Sequence, residues 1–223
     1  AQILTATPLL KVQSVFSHLA ASEDAEKDAL TQKQGRLFYE MSHELQKALG
    51  YTVIRHIANS AAISRHPDLQ LDMVRLGIGM YGIDSSNAIQ DQLKNVSTLK
   101  TTIAQLKHLE AGDSVGYGAS WTAEGPAVTA TVRIGYADGY PRRLSKGKGK
   151  MLIKGKLAPV IGVVAMDMLM LDVTHIQDVA EGDEVIVFGE NLPVQEVATW
   201  AETIPYEILT GISQRVKRVY FQE

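Results

Sequence analysis

The chain has 223 residues, 45% of them hydrophobic, and a net charge of −3 from 22 Lys and Arg against 25 Asp and Glu. That is enough for one or two packed domains, and the mild acidity excludes a nucleic-acid partner recruited by bulk charge. With no cysteine there is no disulfide, thiolate metal site or cysteine nucleophile, which fits a cytoplasmic protein, and no apolar run approaches the roughly 20 residues of a membrane helix.

The first residues, AQILTATPLLKVQ, lack the basic segment and apolar run of a signal peptide. They also lack an initiator methionine and lead straight into a strand, which suggests a piece of something longer. Lys11–Phe16 reads as that strand. Asp24–Leu49 reads as a helix, with Leu30, Leu37, Phe38, Met41, Leu45 and Leu49 at helical spacing and Gly50 as its stop. Thr52–Ile57 is a second strand, a short helix spans Ala61–Arg65, and Asp72–Gly77 is a third strand. This alternation predicts a parallel sheet with helical crossovers.

From about Val96 the pattern changes to short strands. Candidates are Thr98–Leu109, Val128–Tyr136, Lys150–Lys154, Leu157–Val164, Met168–Val173 and Glu184–Phe188. Two turns, at 110–115 and 180–185, share a G-D-x-V core and read as similar hairpin turns. Val194–Thr203 is the one helix expected here, and Val216–Phe221 a last strand. The expectation is an α/β domain over residues 1–95 and an all-β domain over 96–223.

Each early strand ends in a polar side chain: His18, His56 and Arg75. Any single histidine reads more readily as structural than functional, but three polar groups placed alike on successive strands raise a shared site as an equal reading, because α/β barrels carry function at the C-terminal ends of their strands. In HIANSAA (56–62), Asn59 and Ser60 suit either an ordinary helix cap or an anion site. VRLGIGMYG (74–82) lets backbone N–H groups approach a phosphate, yet it matches neither a Walker A nor a dinucleotide fingerprint. VGYGASW (115–121) sets a tyrosine between glycines, which suits a turn or a presented side chain. The basic run 142–156 reads as a solvated face, and the methionines of AMDMLMLDV (165–173) as strand gap-fillers.

SVFSHLAASED, HIANSAA, VRLGIGMYG, VGYGASW, IGYADGYPR and GVVAMDMLMLDVT, in this order and spacing, resemble the alanine racemases, enzymes that use pyridoxal 5′-phosphate (PLP). The fine pattern is similar to the Bacteroidetes type, fused behind a cell-wall precursor ligase. The resemblance implies L- and D-alanine interconversion for peptidoglycan synthesis. Tyr117 matches the catalytic tyrosine that works on one face of the substrate α-carbon, and His18 the histidine bonded to it. Arg75 matches the arginine facing the pyridine nitrogen, and His56 the histidine behind that arginine. Ser60, Gly77 and Ile78 match phosphate ligands. Met166 matches a residue whose backbone holds the substrate carboxylate, and Tyr136 one that lines the approach. In such enzymes Tyr117, Met166 and Tyr136 serve the barrel of a partner subunit, so a homodimer is implied.

Racemisation needs an acid/base on each face of the α-carbon. An ordinary phenol titrates at about 10, so a tyrosine base needs neighbours that stabilise its phenolate. In the family the second base is the lysine that carries PLP, on the first barrel strand. Lys11, Lys27, Lys33 and Lys47 match nothing catalytic. A full barrel takes about 250 residues, so the first 95 resemble only the last three βα units of a TIM (β/α)8 barrel. The expectation is a chain that lacks the PLP lysine, is inactive alone, and either dimerises or associates with the missing N-terminal half. Gln214 stands where the family usually has a phosphate-binding tyrosine. A non-catalytic dimerisation or gating module and a related serine racemase stay open as alternatives.

Overall fold

A computed structural model describes residues 2–7 and 9–221, and the chain divides into two units, Ala1–Val96 and Ser97–Glu223. In the first unit a single turn, α1 (Gln2–Thr5), precedes β1 (Ser14–Phe16), α2 (Asp28–Leu49), β2 (Ile54–His56) and α3 (Ser60–Arg65). β1 and β2 pair in parallel, Val15 opposite Arg55. Both strands are shorter than the sequence suggests.

α2 stops where Gly50 adopts a left-handed conformation (φ 74°) and donates to the Gln46 carbonyl, an L-residue's most strained region and a glycine's ordinary one. Its buried stripe differs from the expected one. Thr31, Gly35, Phe38 and Ser42 are buried, whereas Leu30, Leu37 and Met41 are exposed. Small residues win because the helix packs close: a Cβ on Gly35 would lie 2.5 Å from Leu69 Cδ2. Leu19, Phe38, Ile57, Ala58, Ala62 and Leu69 form this unit's core. Each large member contributes roughly 1.5–3 kcal/mol by leaving water.

The expected third strand, Asp72–Gly77, is not one. It begins in a turn and carries no regular structure, and Asp72 and Arg75 donate backbone bonds to the β2 region, to the carbonyls of Arg55 (3.2 Å) and Ala58 (3.0 Å). The Asp72 carboxylate, not a backbone carbonyl, takes the Arg55 N–H at 2.9 Å, and the chain then coils into a 3₁₀ turn at Ile78–Tyr81.

The second unit contains β3 (Leu99–Leu109), β4 (Ser114–Val115), β5 (Trp121–Thr122), β6 (Ala127–Val132), β7 (Lys150–Ile153), β8 (Lys156–Ile161), β9 (Leu169–Asp172), β10 (Glu184–Phe188), α4 (Val194–Trp200) and α5 (Pro205–Gly211). Six strands close a barrel in the order β10-β3-β6-β9-β8-β7. Alternation fills it. Met151 and Ile153, Leu169 and Leu171, and Val185 are buried while the residues on either side of each are not, as period-two strands with one inward face require; β10 breaks the alternation at its end, where Val187 and Phe188 are both buried. Closure leaves the ring without an unpaired edge. β3 has a register shift between Ile103 and Gln105, and pairs with β10 along its first half and β6 along its second.

Three expectations here are corrected. The turns at 110–115 and 180–185 do share a geometry: Gly112 and Gly182 have φ near 90°, and Asp113 and Asp183 each accept from the N–H three residues back. They are not hairpins, because β3 pairs with β6 and β10, and β10 with β3 and β7. α4 is not the one helix, since α5 follows with Pro205 at its first turn. Val216–Phe221 is not a strand. Arg218 folds back onto the carbonyls of Ile212, Ser213 and Val216, so this tail bonds to itself.

Candidate active site

In the first unit Arg75 gathers the strand ends. Its Nη1 lies 3.0 Å from His56 Nδ1 and donates to the His56 carbonyl at 3.0 Å. Its Nη2 donates to the Ser17 carbonyl at 2.7 Å, approaches His18 Nδ1 at 3.2 Å and reaches the Ile57 carbonyl at 3.3 Å. A guanidinium only donates. Both histidines must therefore accept at Nδ1, and their proton sits on Nε2. Arg75 Nε–H has no acceptor among the described residues, so one N–H stays free for a ligand.

His56 is buried (7% exposed) and stacks on Phe16 with ring centroids 5.4 Å apart. Burial first, and then the Arg75 cation, hold its pKa below the ordinary histidine value of 6.5. His18 is exposed, and its Nε2–H has no partner among the described residues.

Asn59 caps α3, its Oδ1 accepting from Ala62 N–H at 3.1 Å. Ser60 does something else. Its Oγ accepts from the N–H of Gly77 (2.9 Å) and of Gly79 (3.3 Å). With its acceptor capacity used, the hydroxyl has only its proton left to give. The Gly77 N–H, expected to face a ligand directly, is thus spent on Ser60. Ile78 opens the following 3₁₀ turn, and its N–H is one of the orphan donors such a turn leaves. The Ser60 hydroxyl, the Ile78 N–H and the Arg75 cation fit an anionic, ring-nitrogen-bearing cofactor. Lys11, Lys27, Lys33, Lys47 and Lys94 are all exposed, and none is bonded to His18, His56, Ser60 or Arg75 among the described residues.

In the second unit β4 and β5 form a two-stranded ribbon, Val115 opposite Trp121. Tyr117 sits on its turn between Gly116 (φ 81°) and Gly118 (φ 67°). Both readings of VGYGASW hold: the stretch is a turn, and it presents the phenol, which is 77% exposed.

Tyr136 and Met166 lie in adjoining loops of this unit and are 43% and 54% exposed. Tyr136 N–H donates to the Ala165 carbonyl and Ala137 N–H to the Met166 carbonyl, each at 3.0 Å. Gly135 makes this approach possible, since a Cβ there would lie 2.3 Å from the Met166 carbonyl oxygen. Gln214 is exposed and has no partner among the described residues. Sequence reasoning missed its neighbour Arg215, which bonds Asp138 at 2.8 Å and Asp167 at 2.6 Å. Nothing local in the sequence signals it, since the two carboxylates lie 77 and 48 residues away. Among the described residues no group of three or more His, Asp or Glu side chains could hold a metal, and no helix is long and apolar enough to cross a membrane.

Residues 1–85 match the family model described as "Alanine racemase, N-terminal domain", and residues 96–220 the one described as "Alanine racemase, C-terminal domain". An alanine racemase from Clostridium tetani is 40% identical over 99% of this chain and 58% of its own length. One from Desulfosudis oleivorans is 42% identical over 96% of this chain and 56% of its own. The chain therefore spans a little over half the length of these curated relatives. Among solved structures, an alanine racemase from Bartonella henselae with covalently bound pyridoxal phosphate superposes with a TM-score of 0.86 at 35% identity, covering 99% of this chain and 61% of that one. One from Bacillus anthracis with bound L-Ala-P gives 0.87 at 34%, covering 96% and 56%.

Proposed function

The chain belongs to the alanine racemase family, and from that premise we propose that it carries the tyrosine half of a PLP-dependent alanine racemase site. The observation that carries this reading is the Arg75 network. One cation fixes the tautomer of His18 and His56 and keeps a single N–H, on Nε, unspent. The Clostridium tetani and Desulfosudis oleivorans relatives are both named alanine racemases, which supports alanine as the substrate; the reading is also compatible with a place in cell-wall precursor synthesis.

The chemistry that PLP would supply at this site is an electron sink for the substrate α-carbon. The protein residues do the rest. Ser60 and Ile78 hold the phosphate through the hydroxyl proton and the backbone N–H, with Gly77 orienting Ser60 rather than binding directly. Arg75 Nε–H, the donor left unspent by the network, would meet the pyridine nitrogen. As a permanent cation it disfavours protonation of that nitrogen. His18 donates Nε2–H to a phenolate oxygen and so stabilises it. Tyr117 moves the α-proton on one face. The Met166 N–H holds the substrate carboxylate, and Tyr136 narrows the approach. In this reading the site forms in a homodimer, Tyr117, Tyr136 and Met166 of one copy serving the Arg75 network of the other.

The opposite face needs a second base, which we assign to a PLP-bearing lysine outside these 223 residues, because none of the first unit's lysines touches the network. The first unit is accordingly read as the last part of a TIM-type barrel, and the chain by itself as inactive. Two experiments test this. L-Alanine incubated with PLP and the chain stays optically pure, whereas the chain joined to the corresponding N-terminal segment of a relative yields both enantiomers. Borohydride reduction with PLP, followed by peptide mass mapping, finds no stoichiometric adduct on any lysine of the chain. An adduct at one lysine would contradict the assignment.

A further inference from the structure

Three segments of the second unit meet around Arg215. Its Nε donates to Asp138 Oδ1 at 2.8 Å and its Nη2 to Asp167 Oδ1 at 2.6 Å. Asp138 is itself pinned: its Oδ2 accepts from Gly135 N–H at 2.9 Å, and its carbonyl from Ser213 N–H at 3.0 Å. The guanidinium thus ties the turn at 135–139 to the loop at 165–167, from the segment that follows α5. Only a planar fork spans two carboxylates in this way; a lysine ammonium is a point donor.

The loop it holds has a definite backbone orientation. The carbonyls of Ala165 and Met166 both point into the turn, at the N–H groups of Tyr136 and Ala137. In a trans peptide the N–H points opposite to the C=O. The N–H groups of Met166 and Asp167 therefore both point away from the turn, side by side, and neither has an acceptor among the described residues. Two successive backbone N–H groups aimed alike suit a carboxylate.

We propose that Arg215 is a positioning residue, which holds the 165–167 loop so that the paired N–H groups of Met166 and Asp167 keep the direction a carboxylate needs. Asp167 has a double part: its side chain anchors the loop to Arg215, and its N–H adds a second donor beside that of Met166. The carboxylate in question is the substrate's, a clause that rests on the racemase reading; the clamp itself does not.

The test separates the two. Backbone hydrogen exchange of the 223-residue chain is compared with that of Arg215→Ala, Arg215→Lys and Asp167→Asn. The expected result is severalfold faster exchange across 135–140 and 165–168 in all three variants, with β7 and β10 unchanged; β7 and β10 are the internal check that the barrel is folded. Unchanged exchange in the two loops overturns the clamp. In the form of the protein that racemises alanine, Arg215→Lys raises KM for alanine severalfold while kcat stays within a factor of about two, the pattern of lost uniform substrate binding. An unchanged KM beside faster loop exchange overturns the positioning role. If the chain joined to the N-terminal segment of a relative does not racemise alanine, the racemase reading fails, and the clamp is judged on exchange alone.

Discussion

Gly135→Ala puts the close approach of the two site loops to a quantitative test. Gly135 has φ −147°, which any residue adopts, so backbone strain is not the issue. Space is. An added Cβ would lie 2.3 Å from the Met166 carbonyl oxygen and 2.4 Å from that of Ala165. Real Cβ atoms essentially never come within 3.0 Å of a neighbour, so the backbone has to give by about 0.7 Å, the shortfall from 2.3 Å. The opposing atoms are main chain and cannot swing aside. The Tyr136-to-Ala165 and Ala137-to-Met166 bonds, now 3.0 Å, would open beyond the ~3.2 Å limit of a sound N–H···O bond. Overpacking costs about 1–3 kcal/mol and each of the two lost backbone bonds about 0.5–1.5 kcal/mol, so the variant should lose roughly 2–6 kcal/mol. Urea unfolding at constant m-value measures it. Gly125→Ala is the control, because a Cβ there meets nothing within 4 Å and its φ is not left-handed. A Gly135→Ala midpoint equal to that of Gly125→Ala would refute the reasoning.

The Tyr140 hydroxyl is buried without a partner among the described residues, and burial pushes its pKa well up; Tyr140→Phe should leave stability unchanged or raise it by up to about 1 kcal/mol, and a clear loss in thermal unfolding would show a bond the structure lacks. Arg75→Lys should destabilise the first unit by about 1.5–3 kcal/mol, the range for bonds to a charged group, because the three N–H groups of one ammonium, all on a single nitrogen, cannot replace the contacts that two guanidinium nitrogens make to the Ser17, His56 and Ile57 carbonyls and to two histidine rings; the loss should appear in unfolding curves without PLP. His56 is held below 6.5, so the unfolded chain binds more protons just below that value, and stability present above pH 6.5 is lost as pH falls through the folded pKa. A histidine titration by NMR should place His56 below 6.5, and His56→Asn should remove that part of the pH dependence. Tyr117→Phe should change stability by no more than about 0.5 kcal/mol, as for a surface site, since the phenol is 77% exposed.

The barrel strands were legible because their apolar residues recur with a period near two, cleanly in β7 and β9, and Glu184–Phe188 appears as read. The first unit was harder. Its α2 stripe runs through Thr31, Gly35 and Ser42, which carry no hydrophobic signal, so the leucines misdirected the face. Asp72–Gly77 has a strand's composition, but Asp72 takes the bond a ladder would use, a choice invisible to periodicity. The polar ends His18, His56 and Arg75 were readable as a set, and one network does join them. That Gly77 would serve Ser60 was not readable, because backbone N–H partners leave no mark in composition. Arg215 was missed for a similar reason: its two carboxylates lie 77 and 48 residues away in the chain.

The central claim is that Tyr117 moves the α-proton on one face while a residue outside this chain serves the other. It is tested most directly by following α-proton exchange of L- and D-alanine in D2O with PLP, in the racemising form of the protein and in its Tyr117→Phe variant. The account predicts that the wild type exchanges the α-proton of both enantiomers, and that the variant loses exchange from one enantiomer while keeping it from the other. Equal retention, or equal loss from both, would contradict it.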